Sequence, residues 1–580
     1  MNPSELIDVS NRLISERYEW DRVWEQSARL VLPMQDREFR RGAATMSSRE
    51  AIDGWAAGPR SVDKIAERFD ITAVMAAERL ATGLLSLVTP DSEKWMALGI
   101  SDPLGAVEAT DEETRWLERQ RDYLMSTMYT PATGWNQANG GAMRSMVVFG
   151  TGIYFIEEAW GKRGQNDVAV PYTFTPLPLS ENYLTVDGQN EIDQDYRRFR
   201  MSARSALTLF GDKLHPMTSA MANDPQRWHQ QVDFLHWVGY RREPGMQGDP
   251  MRHSPVESVY IEVEKKHEIR RGGFNYFPVV AYHWNQVPSS PYGESPVMLV
   301  MAEIKGGNIL AKNSLLSAQQ LTKPPVGTSN DSTMQRPNLN PGAINFGALD
   351  SQGNLKIKPI ILAQNPSLVQ SLLDGSRNQI KEGLYTNLWQ ILINNPQMTA
   401  TEALIRSNEK GELLGPIGTK IQAGLSHMTD AALTILEGKG AWRPGAALEP
   451  PASIAGRNIK SSFNSPLDRM RRAGELIGIE RTIQTIGPLA QIDPSVMDNF
   501  DNDEIVKLAQ EINGAPKKIL RKPEDIAQIR QQRDQQMQAQ QALAAAQQAG
   551  QAATGLTKGA PAVQGVMDAM QQGQAPQGNG

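Results

Sequence analysis

Few residues in this chain are of a type and spacing that could do chemistry. Cysteine is absent, which excludes disulfides, thiolate metal sites and cysteine nucleophiles. His229 and His236 flank Asp233, but their segment alternates as a strand does and no HExxH pattern is present, so half-buried sheet histidines explain them better than a metal site does. Gly418-Thr419-Lys420 has its glycine and lysine in the wrong order for a phosphate-binding loop. The sequence therefore predicts no catalytic residue, no metal ligand and no cofactor.

Composition narrows the class of protein further. The net charge is −6, from 59 basic and 65 acidic residues, which argues against a large basic face that grips nucleic acid but leaves passing contact open. Met1 to Glu19 carry no signal-peptide pattern, and no apolar run approaches the roughly 18 residues that span a bilayer. We expect a soluble protein with no membrane partner.

Two long helical patterns separated by an insert organise the chain. Ser295 as N-cap and Pro296 at the first helical position begin the first pattern, and Asn365 with Pro366 begins the second. The insert, Pro324 to Pro359, is rich in turn residues around short β-like runs. Apolar residues recur at three- and four-residue steps at Val297, Val300, Met301, Ile304, Ala311, Leu315 and Ala318, and at Val369, Leu372, Leu373, Ile380, Leu384, Leu388 and Leu392.

A third helix follows these two. The uncharged loop Asn394-Asn395-Pro396-Gln397-Met398 leads to Thr399 and Glu402, whose spacing predicts a capping box. Pro416 lies inside this helix among Gly411, Gly415 and Gly418, which predicts a bend. Within the first helix, Gly306-Gly307 favours close approach of a neighbouring element.

The rest of the chain has the pattern of an α+β protein. Helical spacing predicts helices over residues 4–32, 72–87, 111–129 and 202–210, and later over 467–486, 494–500, 503–511 and 525–548. β-branched and aromatic content predicts strands over 146–156, 168–174, 183–186, 232–240, 256–267 and 277–284. Arg271-Gly272-Gly273 is predicted to be the turn into the last of these strands. Residues 551–580 are rich in Gly, Gln and Ala, which predicts disorder.

Several separate segments carry a family resemblance. They are Trp24-Glu25 to Pro33, Asp70-Ile71-Thr72-Ala73 to Trp95, Phe149-Gly150-Thr151-Gly152, Phe277-Pro278-Val279-Val280 to Pro296, Pro324-Pro325, and Met398-Thr399-Ala400-Thr401-Glu402 with Leu414-Gly415-Pro416. Together these segments resemble the portal, or head-to-tail connecting, proteins of short-tailed, podovirus-type bacteriophages, over about residues 10–440. Departures are Asp70-Ile71-Thr72, where the family has a Ser-Thr pair, and Asp91-Ser92, where a second proline is common.

The resemblance implies a portal fold, which is α+β. Its parts would be an α+β wing (1–294), stem helix 1 (295–323), a small β-containing clip (324–362), stem helix 2 (363–393), a tunnel loop (394–399), a kinked wing helix with its connection (400–449), a helical crown (450–515), a C-terminal helix or barrel (516–550) and a disordered tail (551–580).

The resemblance also implies a function. The chain would form a ring, in this family a dodecamer, at one capsid vertex of the virion, assembled in the host cytoplasm. The ring would conduct double-stranded DNA during genome packaging and ejection. Its partners would be further copies of the chain, viral DNA, the terminase motor, a tail adaptor, and the major capsid and scaffolding proteins. The alternative is a tail or capsid adaptor without a DNA channel, and an enzyme is not expected.

Three groups of residues are the candidate sites under this interpretation. The uncharged tunnel loop would touch DNA weakly, without the counterion release that lysines give, through Asn394, Asn395, Gln397 and Met398. Acids on the stem helices would repel the duplex from the channel wall or else form ordinary ion pairs, as Asp374 would with Arg377; they are Glu303, Asp374 and Glu382. The clip docking surface is marked by Pro324, Pro325, Asn338 and Asn340.

Overall fold

A computed structural model provides the fold. It describes residues 2–32, 68–101, 110–159, 170–241, 254–322, 326–328, 357–359, 366–387, 400–454, 457–512 and 523–556, together with residues 352, 354, 519 and 521. The chain divides into two units, Met1–Ile479 and Glu480–Gly580. Helices and sheets are mixed along the first unit, so the fold class is α+β, as predicted.

The helices, in chain order, are α1 (Pro3–Glu16), α2 (Tyr18–Val31), α3 (Thr72–Val88), α4 (Asp111–Met128), α5 (Trp135–Phe149), α6 (Ala203–Phe210), α7 (Pro216–Asn223), α8 (Pro296–Leu299), α9 (Met301–Thr322), α10 (Pro366–Gly383), α11 (Ala400–Gly438), α12 (Pro466–Ile492), α13 (Asn502–Ile512) and α14 (Pro523–Leu556). Local capping explains several helix starts. Thr110 accepts a hydrogen bond from the Glu113 amide at 3.4 Å, and the Glu113 carboxylate accepts one from the Thr110 amide at 2.8 Å, which completes a capping box for α4.

The strands are β1 (Met96–Ser101), β2 (Thr151–Glu158), β3 (Tyr172–Leu177), β4 (Asn182–Val186), β5 (Ile192–Ser202), β6 (Gln231–Tyr240), β7 (Val256–Glu262), β8 (His267–Phe274), β9 (Val279–His283), β10 (Asn285–Gln286), β11 (Gly293–Glu294), β12 (Val326–Thr328), β13 (Ile357–Pro359) and β14 (Asn458–Phe463). An antiparallel sheet has the order β4-β5-β6-β7-β8, and a second has the order β3-β2-β9. Two-stranded ladders join β1 to β14, β10 to β11, and β12 to β13.

The main core lies where α5 and α11 pack on β2 and β9 and where α3 packs on α5. A chain of hydrogen bonds runs through it. The hydroxyls of Tyr154 and Tyr282 lie 3.0 Å apart, Tyr282 donates to Oδ1 of Asn139 at 3.0 Å, and Nδ2 of Asn139 donates to Oγ1 of Thr89 at 2.9 Å. These buried polar groups therefore satisfy one another and link β2, β9, α5 and the end of α3.

Residues 146–149 correct a prediction, because they form the last turn of α5 and not the start of a strand. The β-branched and aromatic side chains that suggested a strand are all buried against the core, and this packing outweighs their local preference. Gly150, at φ +85°, ends the helix, and β2 begins at Thr151. A Cβ on Gly150 would collide with the Gly293 carbonyl, so glycine is required where helix turns into strand.

Two further predictions needed correction. Residues 4–32 form two helices that break at Arg17. Arg271-Gly272-Gly273 lies inside β8, and the chain turns into β9 later, over residues 275–278. Lys266, at φ +50°, belongs to the turn between β7 and β8. The third helix, α11, runs from Ala400 to Gly438 with Pro416 inside it, and the bend predicted there stays a prediction. Its glycines serve close packing, since a Cβ on Gly411 would lie 2.9 Å from the backbone of Arg471.

The break between α1 and α2 positions a buried arginine. The Arg17 guanidinium donates hydrogen bonds to the carbonyls of Leu179, Ser180 and Asn182 at 2.9, 2.8 and 2.7 Å. Its Nε lies 3.0 Å from the Asp21 carboxylate, and the guanidinium lies 3.7 Å from the Tyr183 ring centroid. One side chain thus joins the N-terminal helices to the segment that enters β4.

Asp195 on β5 is a buried carboxyl that holds its proton. Only 1% of the residue is exposed, and its Oδ1 has no hydrogen-bond partner among the described residues. Burial raises the pKa of Asp195 to about 8 against the opposing charges of Arg197 and Arg17. Burial likewise raises the pKa of Asp21 to about 6, although Arg17 opposes the shift.

Arg17→Met should lower the free energy of unfolding by about 3–5 kcal/mol, because it leaves a buried carboxylate and several carbonyls without their partner. Arg12→Met is the matched control: Arg12 pairs with Glu16 at 3.9 Å on an exposed face, and its loss should cost less than about 0.5 kcal/mol. Denaturant unfolding of both variants checks this, and equal losses would contradict it.

Asp195→Asn should weaken the pH dependence of stability. Between the ordinary pKa of 3.8 and the folded value of about 8, the folded chain holds a proton that the unfolded chain has lost, so stability falls as pH rises through this window. Asparagine removes this contribution. Unfolding temperatures at about pH 5 and about pH 8 measure it, and an unchanged difference between the two in the variant would contradict the assignment.

Candidate functional site

The predicted pair of long helices forms the candidate site. Ser295 caps α8 as predicted, since its Oγ accepts a hydrogen bond from the Met298 amide at 3.0 Å and donates one to the Val148 carbonyl at 2.9 Å. The predicted single helix is interrupted at Val300, where α8 ends and α9 begins. Beyond the helices, β12 and β13 pair antiparallel, from Val326 opposite Pro359 to Thr328 opposite Ile357.

Small residues let α9 and α10 approach closely. A Cβ on Gly307 would lie 3.1 Å from Oγ of Ser376, and that hydroxyl donates to the Glu303 carbonyl at 3.0 Å. A Cβ on Gly383 would collide with Val300. The close packing predicted at Gly306-Gly307 is therefore confirmed at Gly307, and α9 continues through both glycines.

Both helices also hold the residues that precede α3. Oδ1 of Asn308 accepts hydrogen bonds from the backbone amides of Phe69 and Asp70 at 2.8 and 3.3 Å. The Asp70 carboxylate accepts from Nε of Arg377 at 2.8 Å and from the Thr72 amide at 2.8 Å. Burial opposes ionisation of Asp70, but the hydrogen bonds from Thr72 and the Arg377 guanidinium outweigh it and lower the pKa of the carboxyl.

The three predicted wall acids lie on this helix pair. Glu303 is half-buried, and the Gln379 amide nitrogen, oriented towards it, donates to both carboxylate oxygens at 3.1 Å. Asp374 is exposed and lies 3.6 Å from Arg377, which is the ordinary ion pair given above as the alternative. Glu382 is exposed. Their orientation towards a channel stays a prediction.

The other predicted site residues lie outside the described part of the chain. These are the tunnel-loop residues Asn394, Asn395, Gln397 and Met398 and the clip residues Pro324, Pro325, Asn338 and Asn340. The second long helix, predicted to reach Ile393, ends as α10 at Gly383, and Tyr385 then adopts φ +55°.

Sequence reasoning missed Asp70, Asn308 and Ser376. Asp70 stood out only as a departure from the family pattern, and the helical spacing assigned no role to the other two. Asp70 and Arg377 are 307 residues apart, so no local pattern marks them as partners. The available signal was the Asp-x-Thr spacing before α3, because an aspartate there can accept a hydrogen bond from the amide two residues on.

Of the two histidines considered above, His236 has a structural role, and His229 is exposed in the turn before β6. His236 is buried, its Nε2 lies 2.9 Å from Oγ of Ser258, and its ring stacks on Tyr260. Burial lowers the pKa of His236 to about 3. Asp233 forms an ion pair with Arg200. Across the described ranges, no group of three or more His, Asp or Glu side chains could hold a metal ion, and no helix is long and apolar enough to cross a membrane.

Large apolar side chains of the helix pair remain exposed in the single chain. They are Ile309, Leu315 and Leu316 on α9 and Leu368 and Leu372 on α10. Leu373, Ile380 and Leu384 supply the buried face instead. Packing of α9 on α10 therefore leaves part of their apolar surface uncovered.

Comparison with known proteins gives a consistent result. A family model described as bacteriophage head to tail connecting protein matches residues 4–520. The portal protein of Salmonella phage epsilon15 is 26% identical over 477 residues, which is 80% of this chain and 81% of that protein. The probable portal protein of Bordetella phage BPP-1 is 24% identical over 537 residues, which is 91% of this chain and 90% of that protein. The family match contains the α+β body and the helix pair.

Arg377→Met should lower the free energy of unfolding by about 1.5–3 kcal/mol, because the largely buried Asp70 carboxylate loses a charged hydrogen bond. Asp374→Asn, on the exposed side of Arg377, should cost less than about 0.5 kcal/mol. The loss in Arg377→Met should shrink below pH 3.8, the ordinary pKa, as Asp70 becomes protonated. Thermal unfolding across pH measures this, and a loss of equal size in Asp374→Asn would contradict it.

Proposed function

This chain belongs to the family of bacteriophage head-to-tail connecting proteins, and from that membership we propose that it is the portal of its phage: a ring at one capsid vertex that conducts double-stranded DNA during packaging and ejection. The observation that carries the proposal is the family match over residues 4–520. It spans the helix pair that would line the channel, so the match is not confined to one shared domain.

Exposed apolar side chains on α9 and α10 support a ring. A neighbouring copy related by rotation would cover Ile309, Leu315 and Leu316 on one side and Leu368 and Leu372 on the other. Such head-to-tail contacts use two different surfaces of each copy and close into a ring when the rotation permits. We propose a dodecamer, the number that the family resemblance implies.

We propose the following parts for each subunit. Residues 1–294 form a wing, 295–323 and 363–393 the two stem helices, and 324–362 the clip. Residues 394–399 form the tunnel loop, 400–449 the wing helix with its connection, 450–515 the crown and 516–550 a C-terminal helix or barrel. The stem assignment is supported by the close packing of α9 on α10 through Gly307.

DNA would pass through the ring with weak contacts. A wall rich in lysine would release counterions at each phosphate contact and hold the duplex in a salt-dependent way, which would slow its movement. The uncharged loop side chains Asn394, Asn395 and Gln397 avoid this. Asp374 and Glu382 are exposed, and their carboxylates would repel the duplex from the wall if they face the channel.

The clip would be the surface of the ring that binds its partner proteins. We propose that residues 324–362, including Pro324, Pro325, Asn338 and Asn340, bind the terminase motor during packaging and the tail adaptor afterwards. The short β12–β13 ladder at the ends of this insert supports a compact tip at the end of the helix pair. The ring itself would not hydrolyse ATP, and the motor would supply that activity. Major capsid and scaffolding proteins would contact the wing when the ring assembles in the host cytoplasm.

Electron microscopy of the purified protein tests the proposal. Rings with a central hole of about 20–40 Å, wide enough for a duplex and its hydration, support a conduit. Closed particles, or rings whose hole is narrower than a duplex, would overturn it in favour of an adaptor without a DNA channel.

Replacing Asn394, Asn395 and Gln397 with lysine should leave rings intact but slow or stall packaging, most strongly at low salt, because each added cation gains a phosphate contact. The matched control replaces the same three residues with serine, which adds no charge. DNA protected from nuclease per unit time measures packaging. Full-length genomes packaged at the normal rate by the lysine rings would rule out weak contact.

Deleting residues 328–350 should leave the remaining fold intact and abolish binding of the motor or the adaptor, because the proposed docking tip is gone. Circular dichroism and particle images check the fold, and co-sedimentation with the purified terminase or adaptor measures binding. A deleted ring that binds both partners with wild-type affinity would refute the assignment.

A further inference from the structure

A cleft of about 450 Å³ lies between α2 and α9, beside the residues that precede α3. Its lining consists of Gln26, Arg29, Leu30, Arg68, Lys305, Asn308 and Ile309. We call it the basic cleft, because three of these side chains are cationic and none of the described residues that line it is acidic. A concentrated positive site is unexpected on a chain with a net charge of −6.

The cations of the basic cleft are held in place by the surrounding fold. Nζ of Lys305 donates to Oε1 of Gln26 at 2.5 Å, which ties α9 to α2 across the cleft. Asn308 holds the backbone of Phe69, the residue after Arg68. The nearby Asp70 carboxylate is already engaged by Arg377 and Thr72.

Arg68 is the side chain whose bonding is incomplete. Its Nε is buried and has no hydrogen-bond partner among the residues that the structure describes. Burial lowers the pKa of Arg68, which shows that its charge has lost hydration without a compensating carboxylate. A guanidinium in this position gains from any anion that replaces the lost water.

We propose that the basic cleft binds a phosphate group through Arg68 and Lys305. A guanidinium and an ammonium that line the same cleft supply charged donors of the kind that a tetrahedral oxyanion of charge −1 or −2 accepts. Leu30 supplies an apolar wall beside these cations. The site uses none of the predicted tunnel-loop residues and requires neither a ring nor a channel. The phosphate could be free or part of a DNA backbone.

Isothermal titration of the full-length protein with inorganic phosphate, in a buffer matched in ionic strength with chloride, tests the proposal. Saturable binding with one site per chain is expected. Arg68→Gln should weaken it about tenfold or more, because one charged hydrogen-bonding group is lost. Lys305→Gln should weaken it similarly, and since Lys305 is exposed this variant keeps the test valid if Arg68→Gln misfolds. Arg115→Gln, an exposed cation on α4, should bind within about twofold of wild type.

A second titration identifies the source of the phosphate. Phosphate binding that a short DNA duplex displaces in the wild type, but not in Lys305→Gln, assigns the cleft to the DNA backbone. Phosphate binding that the duplex leaves unchanged assigns it to free phosphate or a small phosphate ester. Absence of saturable phosphate binding, or equal affinity in the wild type and both cleft variants, would overturn the proposal, whatever the particle images show about the ring.

Discussion

The buried guanidinium of Arg17 connects two parts of the body that are far apart in sequence: the break between α1 and α2, and the segment that enters β4. Its position at the break between α1 and α2 lets one side chain reach the carbonyls of Leu179, Ser180 and Asn182 while it pairs with Asp21. A cation this deeply buried is stable only when every neighbour is in place, so the N-terminal helices and the edge of the five-stranded sheet depend on each other. The phenol of Tyr292 lies in the same cluster and continues it towards the start of the helix pair.

The helix pair depends on the body in a similar way. Asn308 and Arg377 come from different helices and hold the same few residues before α3. Because α9 and α10 meet through Gly307 and Ser376, a shift of one helix would move the other and disturb both contacts. The position of the pair relative to the body therefore depends on contacts made by both helices.

Local signals in the sequence predicted much of the fold. The Ser295 cap, the helices at α3, α4 and α6, and the strands β4 and β6 depend on neighbouring residues, and each was correctly predicted. Helix α5 was missed because Val147 and Val148 favour strands locally, and their burial decides otherwise. Asp70 with Arg377 and the basic cleft could not be predicted, because residues far apart in sequence meet only once the body has folded. The tunnel-loop and clip assignments came from resemblance and stay predictions.

The ladder between β1 and β14 joins an early strand to a late one, and it sets an order of events during synthesis. Trp116 similarly donates its indole hydrogen to the carbonyl of Leu448, 332 residues further along the chain. Until the ribosome has made residues 458–463, β1 has no strand to pair with, and its open edge can join another nascent chain. The ladder can therefore form only after nearly all of the family-matched region, residues 4–520, has been translated. A chain truncated before residue 458 would lack the ladder and would leave the edge of β1 unpaired.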